Sequence, residues 1–311
     1  MNELILHHYD FSPFSEKIRL IFGLKALPWR SVVIPSVMPK PDLVRLTGGY
    51  RHTPVLQIGA DIFCDTRLIA RELDRRYPQP SLFGANPPGL TAAVEAWAER
   101  DLFWPIARYV SGTNAEEVAP ELHADRAAMR GKHTPSIARL KALAERSLGL
   151  VQAQIPPIED MLGQGRAYLL SDAPGLADFA VYHALWFLKA MPIDCSAVLA
   201  PFPRIGSWME RIGSIGHGRS ADMSPLEALD VAARARPARA RPTDAAASDP
   251  PLGTWLALRP EEYVTDEIVG DLVYADRDEL AIHRLDSALG DVVVHFPRVG
   301  YALRLIEKAA P

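Results

Sequence analysis

Cysteine is scarce: Cys64 and Cys195 are the only two in 311 residues. Two thiols cannot build a disulfide framework, so a reducing cytoplasm is the expected compartment. Long apolar runs are also lacking. The most apolar stretch, Phe179 to Leu188, contains His183 and is too short to span a bilayer. No basic segment followed by a long apolar one opens the chain, so no secretory signal is expected. Neither sign of charge is in surplus: 34 Lys and Arg against 38 Asp and Glu leave a net −4. Nothing in that balance invites nucleic acid, and no charge block marks a tail. The nine histidines lack metal-ligand spacing; His7 and His8 are adjacent and the others scattered, so no metal is expected. Gly213 to Gly218, GSIGHG, has the look of a phosphate loop. It lacks a Lys-Ser/Thr and follows a helical pattern, so it reads as a turn.

What is present is the composition of a soluble globular protein, 48% hydrophobic and 23% charged, with length for two or three domains. Leu4 to Leu6 reads as a strand, followed by an apolar-periodic helix over Ile18 to Leu27. Ser31 to Ile34 reads as a second strand, and Pro35 to Pro41, with three prolines, as a loop. Val55 to Ile58 and Asp61 to Cys64 flank Gly59-Ala60 as a hairpin. Asp65 or Thr66 then caps a helix that Pro78 ends. From Thr91 to about Arg236 the period is helical, with a kink expected at Pro105. Pro174 to Leu188 reads as the most buried helix, with Gly175 as N-cap and Asp178 reaching back to it. Ala238 to Pro251 reads as a linker. Beyond it the period changes to two, with strand-like runs at Leu272 to Tyr274, Leu280 to His283 and Val292 to Phe296; Ala302 to Ile306 reads as strand or helix. A β-rich module of about 60 residues is marginal alone, so it is expected to pack on the helical domain or on a second subunit.

The stretch that organises the chain is Tyr9 to Arg19, YDFSPFSEKIR. Ser12 stands where an N-cap belongs and Pro13 at the first helical position. A strand, a tight turn and a helix opening on Ser-Pro present free N–H groups and the helix dipole to an anion. Taken alone this is an ordinary cap. Two later stretches add to it: Arg51 to Gln57, RHTPVLQ, and Cys64 to Pro78, with the acid-hydroxyl pair Asp65-Thr66 opening a helix.

Together these stretches resemble the glutathione-binding half of the glutathione S-transferase superfamily. The resemblance implies a thioredoxin-like α/β domain over 1–78, an all-helical domain over 90–236, and, outside the family's core, the small β-rich module over 252–311. It places a cis proline at Thr53-Pro54 and the γ-glutamyl end of glutathione on Asp65 and Thr66. The cysteinyl backbone would pair with Thr53 or Val55, and the glycyl carboxylate would take Lys40, Arg51 or His52. The thiol needs a hydroxyl donor to hold it as thiolate. Ser12 comes first, then Tyr9, then Ser15, and the absence of cysteine at this turn disfavours mixed-disulfide chemistry. Trp97, Asp101, Phe103, Trp104 and Arg108 are candidates for the wall of an electrophile pocket. The expected function is addition of the glutathione thiolate to a small apolar electrophile by a cytoplasmic homodimer. The rivals are a glutathione-dependent isomerase or dehalogenase and a non-catalytic glutathione-binding scaffold.

Overall fold

The computed structural model describes residues 3–84, 86–238, 246, 249–264 and 267–307. Its first elements are β1 (Ile5–His8), α1 (Pro13–Leu24), β2 (Pro28–Val33), α2 (Pro41–Thr47), β3 (Val55–Ile58), β4 (Asp61–Cys64) and α3 (Thr66–Arg76). β1 lies between β2, which is parallel to it, and β3, which is antiparallel; β4 returns beside β3 through the Gly59-Ala60 turn. This is the thioredoxin-type α/β domain. Helix α2 is additional to the predicted elements. Pro41 sits in its first turn, where a missing N–H costs nothing, and Gly48 ends it at φ 77°.

The helical domain comprises α4 (Pro88–Trp97), α5 (Phe103–Thr113), α6 (Pro120–Ala128), α7 (Ile137–Gln154), α8 (Pro156–Leu162), α9 (Leu176–Trp186) and α10 (Pro203–Gly213). Between α4 and α5 the chain makes a π-helical turn, Ala98–Leu102, in which the Phe103 N–H reaches the Ala98 carbonyl. Pro105 explains its position: having no N–H, it cannot serve the Asp101 carbonyl, and the irregularity falls one turn earlier. Helix α9 is buried from Leu176 to Leu185. Asp178 accepts from the N–H of Gly175 at 3.0 Å, the N–H of Leu169 at 2.9 Å and the indole of Trp208 at 2.9 Å. Its role is structural, as the sequence suggests.

After the helices come β5 (Arg219–Asp222) and α11 (Pro225–Arg234), then β6 (Trp255–Pro260), β7 (Ile268–Ala275), β8 (Glu279–Asp286), β9 (Gly290–Pro297) and β10 (Tyr301–Leu305). The ten strands among the described residues form one sheet in the order β10-β6-β7-β8-β9-β4-β3-β1-β2-β5. The C-terminal module is thus an extension of the thioredoxin-type sheet, and it also touches the helical domain, as expected, where the Val264 N–H donates to the Met129 carbonyl at 3.1 Å. Strand β9 runs parallel to β4, Asp61 opposite Val293 and Phe63 opposite His295. On the far side β5 pairs in parallel with β2. An exposed β4 would be an open hydrogen-bonding edge beside apolar faces, and β9 closes it.

The core divides by sheet face. Leu6, Leu56 and Phe63 point with α1 and α3 into the helical domain. Ile5, Val55, Ile62 and Cys64 share the other face with α2, α11 and the inner residues of β6 to β9. From β8, Arg284 donates to the carbonyls of Arg45 and Leu46 at the end of α2, at 3.3 and 3.5 Å. A cation there answers the negative end of the helix. Most of the expected linker lies outside the described residues; Asp249, at its end, pairs with Arg298. Among the described residues no helix is long and apolar enough to cross a membrane.

Candidate active site

The turn after β1 leads into α1, and Ser12 caps it: Ser12 Oγ accepts from the Ser15 N–H at 3.2 Å. The hydroxyl keeps its own proton free to donate. Ser12 is 2% exposed. Ser15, one turn into the helix, is fully buried and its Oγ has no partner. Tyr9 is half-buried, and its phenol oxygen accepts from Arg126 of α6 at 3.0 Å. Of the predicted hydroxyls, Ser12 thus lies at the helix N-terminus, while Tyr9 is tied to the helical domain.

The Thr53-Pro54 peptide is cis. Thr53 Oγ1 accepts from Lys40 at 3.3 Å, and Lys40 also donates to the Arg51 carbonyl at 3.1 Å. The same ammonium lies 5.7 Å from the centre of the Tyr9 ring, which brings Lys40, Thr53 and Tyr9 together. Val55 is inside the sheet, opposite His7 and Cys64. Arg51 turns to Asp125, the residue before Arg126. Burial works against the Asp125 carboxylate, but the Met38 N–H, Arg51 and Arg126 together hold its pKa below the usual range.

Asp65 caps α3 by accepting from the Arg67 N–H at 2.9 Å. Its φ is 74°, a conformation that L residues rarely adopt and that costs about 1–3 kcal/mol. Burial, with the nearby Glu99 carboxylate, pushes its pKa up to about 6 against the pull of the Arg67 N–H, Arg67 and Lys17. A strained carboxylate at a helix start, whose charge burial disfavours, is poised for an ammonium from outside. Thr66, beside it, is engaged from below: Lys17 lies 3.5 Å and Glu99 3.4 Å from its Oγ1. Lys17 itself is fully buried between Glu95 at 2.6 Å and Glu99 at 2.7 Å. This network ties α1 and α3 to the helical domain.

Several of these residues escape a reading of the sequence. Lys17, Glu95 and Glu99 look like solvated helix charges, and Asp125 and Arg126 like an ordinary polar pair. Tyr263 is the least foreseeable. It lies in the β6–β7 connection of the C-terminal module, and its ring centre is 4.4 Å from that of His52. The module therefore contributes to the site as well as to the sheet. Of the expected pocket wall, Phe103 packs on Phe14 at 4.8 Å and Trp104 lies under Arg130 at 4.8 Å. Trp97 donates to Gln154 and supports the helices, while Asp101 and Arg108 are exposed.

Residues 6–81 match the family model of the glutathione S-transferase N-terminal domain, and residues 118–215 that of its C-terminal domain. The chain belongs to the glutathione S-transferase family. It is 36% identical to a GST-like protein from Pseudomonas syringae of known crystal structure. That likeness covers 98% of this chain and 100% of the other, with a TM-score of 0.80, and so takes in the C-terminal strands. The theta-class glutathione S-transferase from the citrus canker pathogen Xanthomonas axonopodis pv. citri, solved with glutathione bound, shares the fold at 17% identity. Its TM-score is 0.51, and 68% of this chain and 92% of that one are covered. Among curated proteins, FtsZ-localized protein A of Caulobacter vibrioides is 25% identical over 181 residues, 57% of this chain and 74% of its own length. The stringent starvation protein A homolog of Pasteurella multocida is 22% identical over 203 residues, 64% and 80% respectively.

Proposed function

We propose that the protein binds glutathione against the thioredoxin-type domain and holds its sulfur as a thiolate for addition to a small electrophile with an apolar body. The observation that carries this reading is Ser12: a hydroxyl with a free proton, capping the helix whose N-terminus already favours an anion. The γ-glutamyl ammonium goes to Asp65 and its carboxylate to the start of α3 at Thr66. The cysteinyl backbone pairs beside the cis Thr53-Pro54 peptide, at Thr53 or Val55. The glycyl carboxylate goes to the Lys40, Arg51 and His52 end. Stabilising the thiolate lowers its pKa towards neutrality, where it is both abundant and nucleophilic. The same reading has the enzyme work as a cytoplasmic homodimer; both cysteines are buried and free, which fits a reducing compartment.

The test is the ultraviolet thiolate absorbance of bound glutathione against pH, for the wild type, Ser12→Ala and Tyr9→Phe. Ser12→Ala is expected to raise the bound thiol's pKa by about one unit, which corresponds to about 1.4 kcal/mol. Tyr9→Phe is expected to leave it in place. If only Tyr9→Phe moves the titration, the tyrosine is the donor. If the wild type shows no thiolate near neutral pH, a non-catalytic binder becomes the better account. That second reading has one observation in its favour: Tyr263 packs over His52 at the edge of the site.

A further inference from the structure

The basic groups at the Thr53 end of the site outnumber the acids that face them. Lys40 is 3% exposed and makes its hydrogen bonds to a carbonyl and a hydroxyl. Among the described residues, neither Lys40 nor Arg130 has a carboxylate within ion-pair distance. Asp125 serves Arg51 and Arg126 at once. Between these cations lies His52, whose Nε2 is buried without a partner. Its pKa is pushed down to about 3 by burial and by Arg51, Lys40, Arg126 and Arg130. Burial, Arg126 and Arg51 likewise push Lys40 down to about 8, with Asp125 opposing them. Four cations thus share one carboxylate, and Glu262, beside Tyr263, is turned to solvent. Enclosed charge without a counter-charge is unfavourable and is answered by an anion from outside.

The glycyl carboxylate of glutathione supplies one negative charge, at Lys40 and Arg51. Arg126 and Arg130 belong to the same cluster but come from the helical domain: Arg126 shares Asp125 with Arg51 and donates to the Ser36 carbonyl at 3.0 Å, and Arg130 donates to the Arg126 carbonyl at 2.9 Å. From the Ser12 turn, Tyr9 leads to Arg126 through a 3.0 Å hydrogen bond. On the other side Phe14 leads through Phe103 to Trp104, ring centres 4.8 and 5.3 Å apart, and Arg130 lies 4.8 Å above the Trp104 ring. The two arginines therefore border the ground between the thiol position and the helical domain, over an aromatic floor. We propose that the second substrate is an aromatic or otherwise apolar molecule bearing a carboxylate, which Arg126 and Arg130 receive while its apolar body lies against the Phe14, Phe103 and Trp104 cluster. A guanidinium pair suits a planar carboxylate, which it can hold with two parallel hydrogen bonds. This deepens the glutathione reading and rests on it.

The test compares the full-length protein's affinity for glutathione, S-(4-carboxybenzyl)glutathione and S-(4-methylbenzyl)glutathione by calorimetry near neutral pH. The two conjugates differ in the charge of one substituent. The carboxylate conjugate is expected to bind at least about tenfold tighter, as a charge-assisted hydrogen bond allows. That advantage should shrink when salt is raised from about 50 to about 500 mM. It should fall to within about twofold in the double variant Arg126→Gln/Arg130→Gln, and Arg130→Lys should keep part of it. The wild-type comparison decides the matter even if the double variant fails to fold. If glutathione binds and the two conjugates bind equally, or the methyl conjugate binds tighter, the carboxylate substrate is wrong and the glutathione reading stands. If glutathione and both conjugates all fail to bind at millimolar concentration, both are wrong.

Discussion

Replacing His295 by Phe is expected to destabilise the seam between the thioredoxin-type strands and the C-terminal module. His295 is on β9, and its imidazole bridges two buried acids: Nδ1 is 2.7 Å from Glu279 and Nε2 is 3.1 Å from Asp61. Each acid is 4% exposed. The ring also stacks on Phe63 of β4, centres 4.3 Å apart and planes at 14°. Phe keeps the stack and removes the charge, so two buried carboxylates lose their shared cation. Breaking a buried pair in this way costs about 3–5 kcal/mol. The pH dependence follows from the direction of the shift. Burial lowers the His295 pKa, but Asp61 and Glu279 together outweigh it and raise the pKa above 6.5. Its stabilisation is therefore fully present below pH 6.5 and is lost as the pH rises through the folded-state value. The other perturbed histidines act in another window. His7, His8, His52 and His183 are pushed down by burial, so they reduce stability as the pH falls below 6.5. Urea unfolding of wild type and His295→Phe, at intervals from about pH 6 to pH 9, separates the two effects. The gap should be several kcal/mol at the acid end and should narrow with rising pH. A gap below about 1 kcal/mol at pH 6, or one that stays constant across the range, would refute the argument.

Other outcomes are expected. Asp65→Ala should weaken glutathione binding by about 1.5–3 kcal/mol in calorimetry, and wild-type binding should weaken as the pH falls through about 6, where Asp65 takes up a proton; unchanged affinity in a folded variant would displace the γ-glutamyl group from Asp65. Ser12→Ala should also cost about 1 kcal/mol of stability in denaturant titrations, because the cap is lost. Truncation near Ala247 should yield an aggregating or unstable protein, since it bares the β4 edge and the apolar face shared with β6 to β9; a stable, soluble truncation would mean that the sheet does not need β9. Sedimentation at micromolar concentration should show a dimer, and a monomer would remove that part of the proposed function.

Local chemistry made much of the fold legible. The hairpin around Gly59-Ala60 has the strand limits its turn signal suggests, and the Ser12, Asp65 and Gly175 caps fall just ahead of their helices. What the pattern hid was pairing at a distance. Arg219–Asp222 is polar and exposed, so nothing in RSAD marks a strand; β2 recruits it. Trp255–Pro260 ends on a proline and carries an arginine, which obscures its alternation. The thioredoxin-type half of the site was legible because the cap residues and Thr53-Pro54 are sequence signals in themselves. The remainder was not, because charge partners such as Lys17 with Glu95 and Glu99, or His52 with Tyr263, meet only after the chain has folded. The same holds for His295, which in sequence is one more scattered histidine.

Closure of both sides of the first four strands also sets a timetable for synthesis. Phe63 is translated early, yet its neighbour on the sheet, His295, leaves the ribosome only after the whole helical domain. At 5–20 residues per second that is a wait of roughly 10–50 s. Throughout it the β4 edge has no strand to pair with, and the Ile62 side of the sheet lacks the residues that will cover it. A nascent chain in that state is a natural client for holding chaperones, and a ribosome stalled before β9 releases a sticky fragment instead of a smaller folded domain. The first domain therefore cannot be finished before the helical domain has been made, because the strands that complete it follow that domain in the chain.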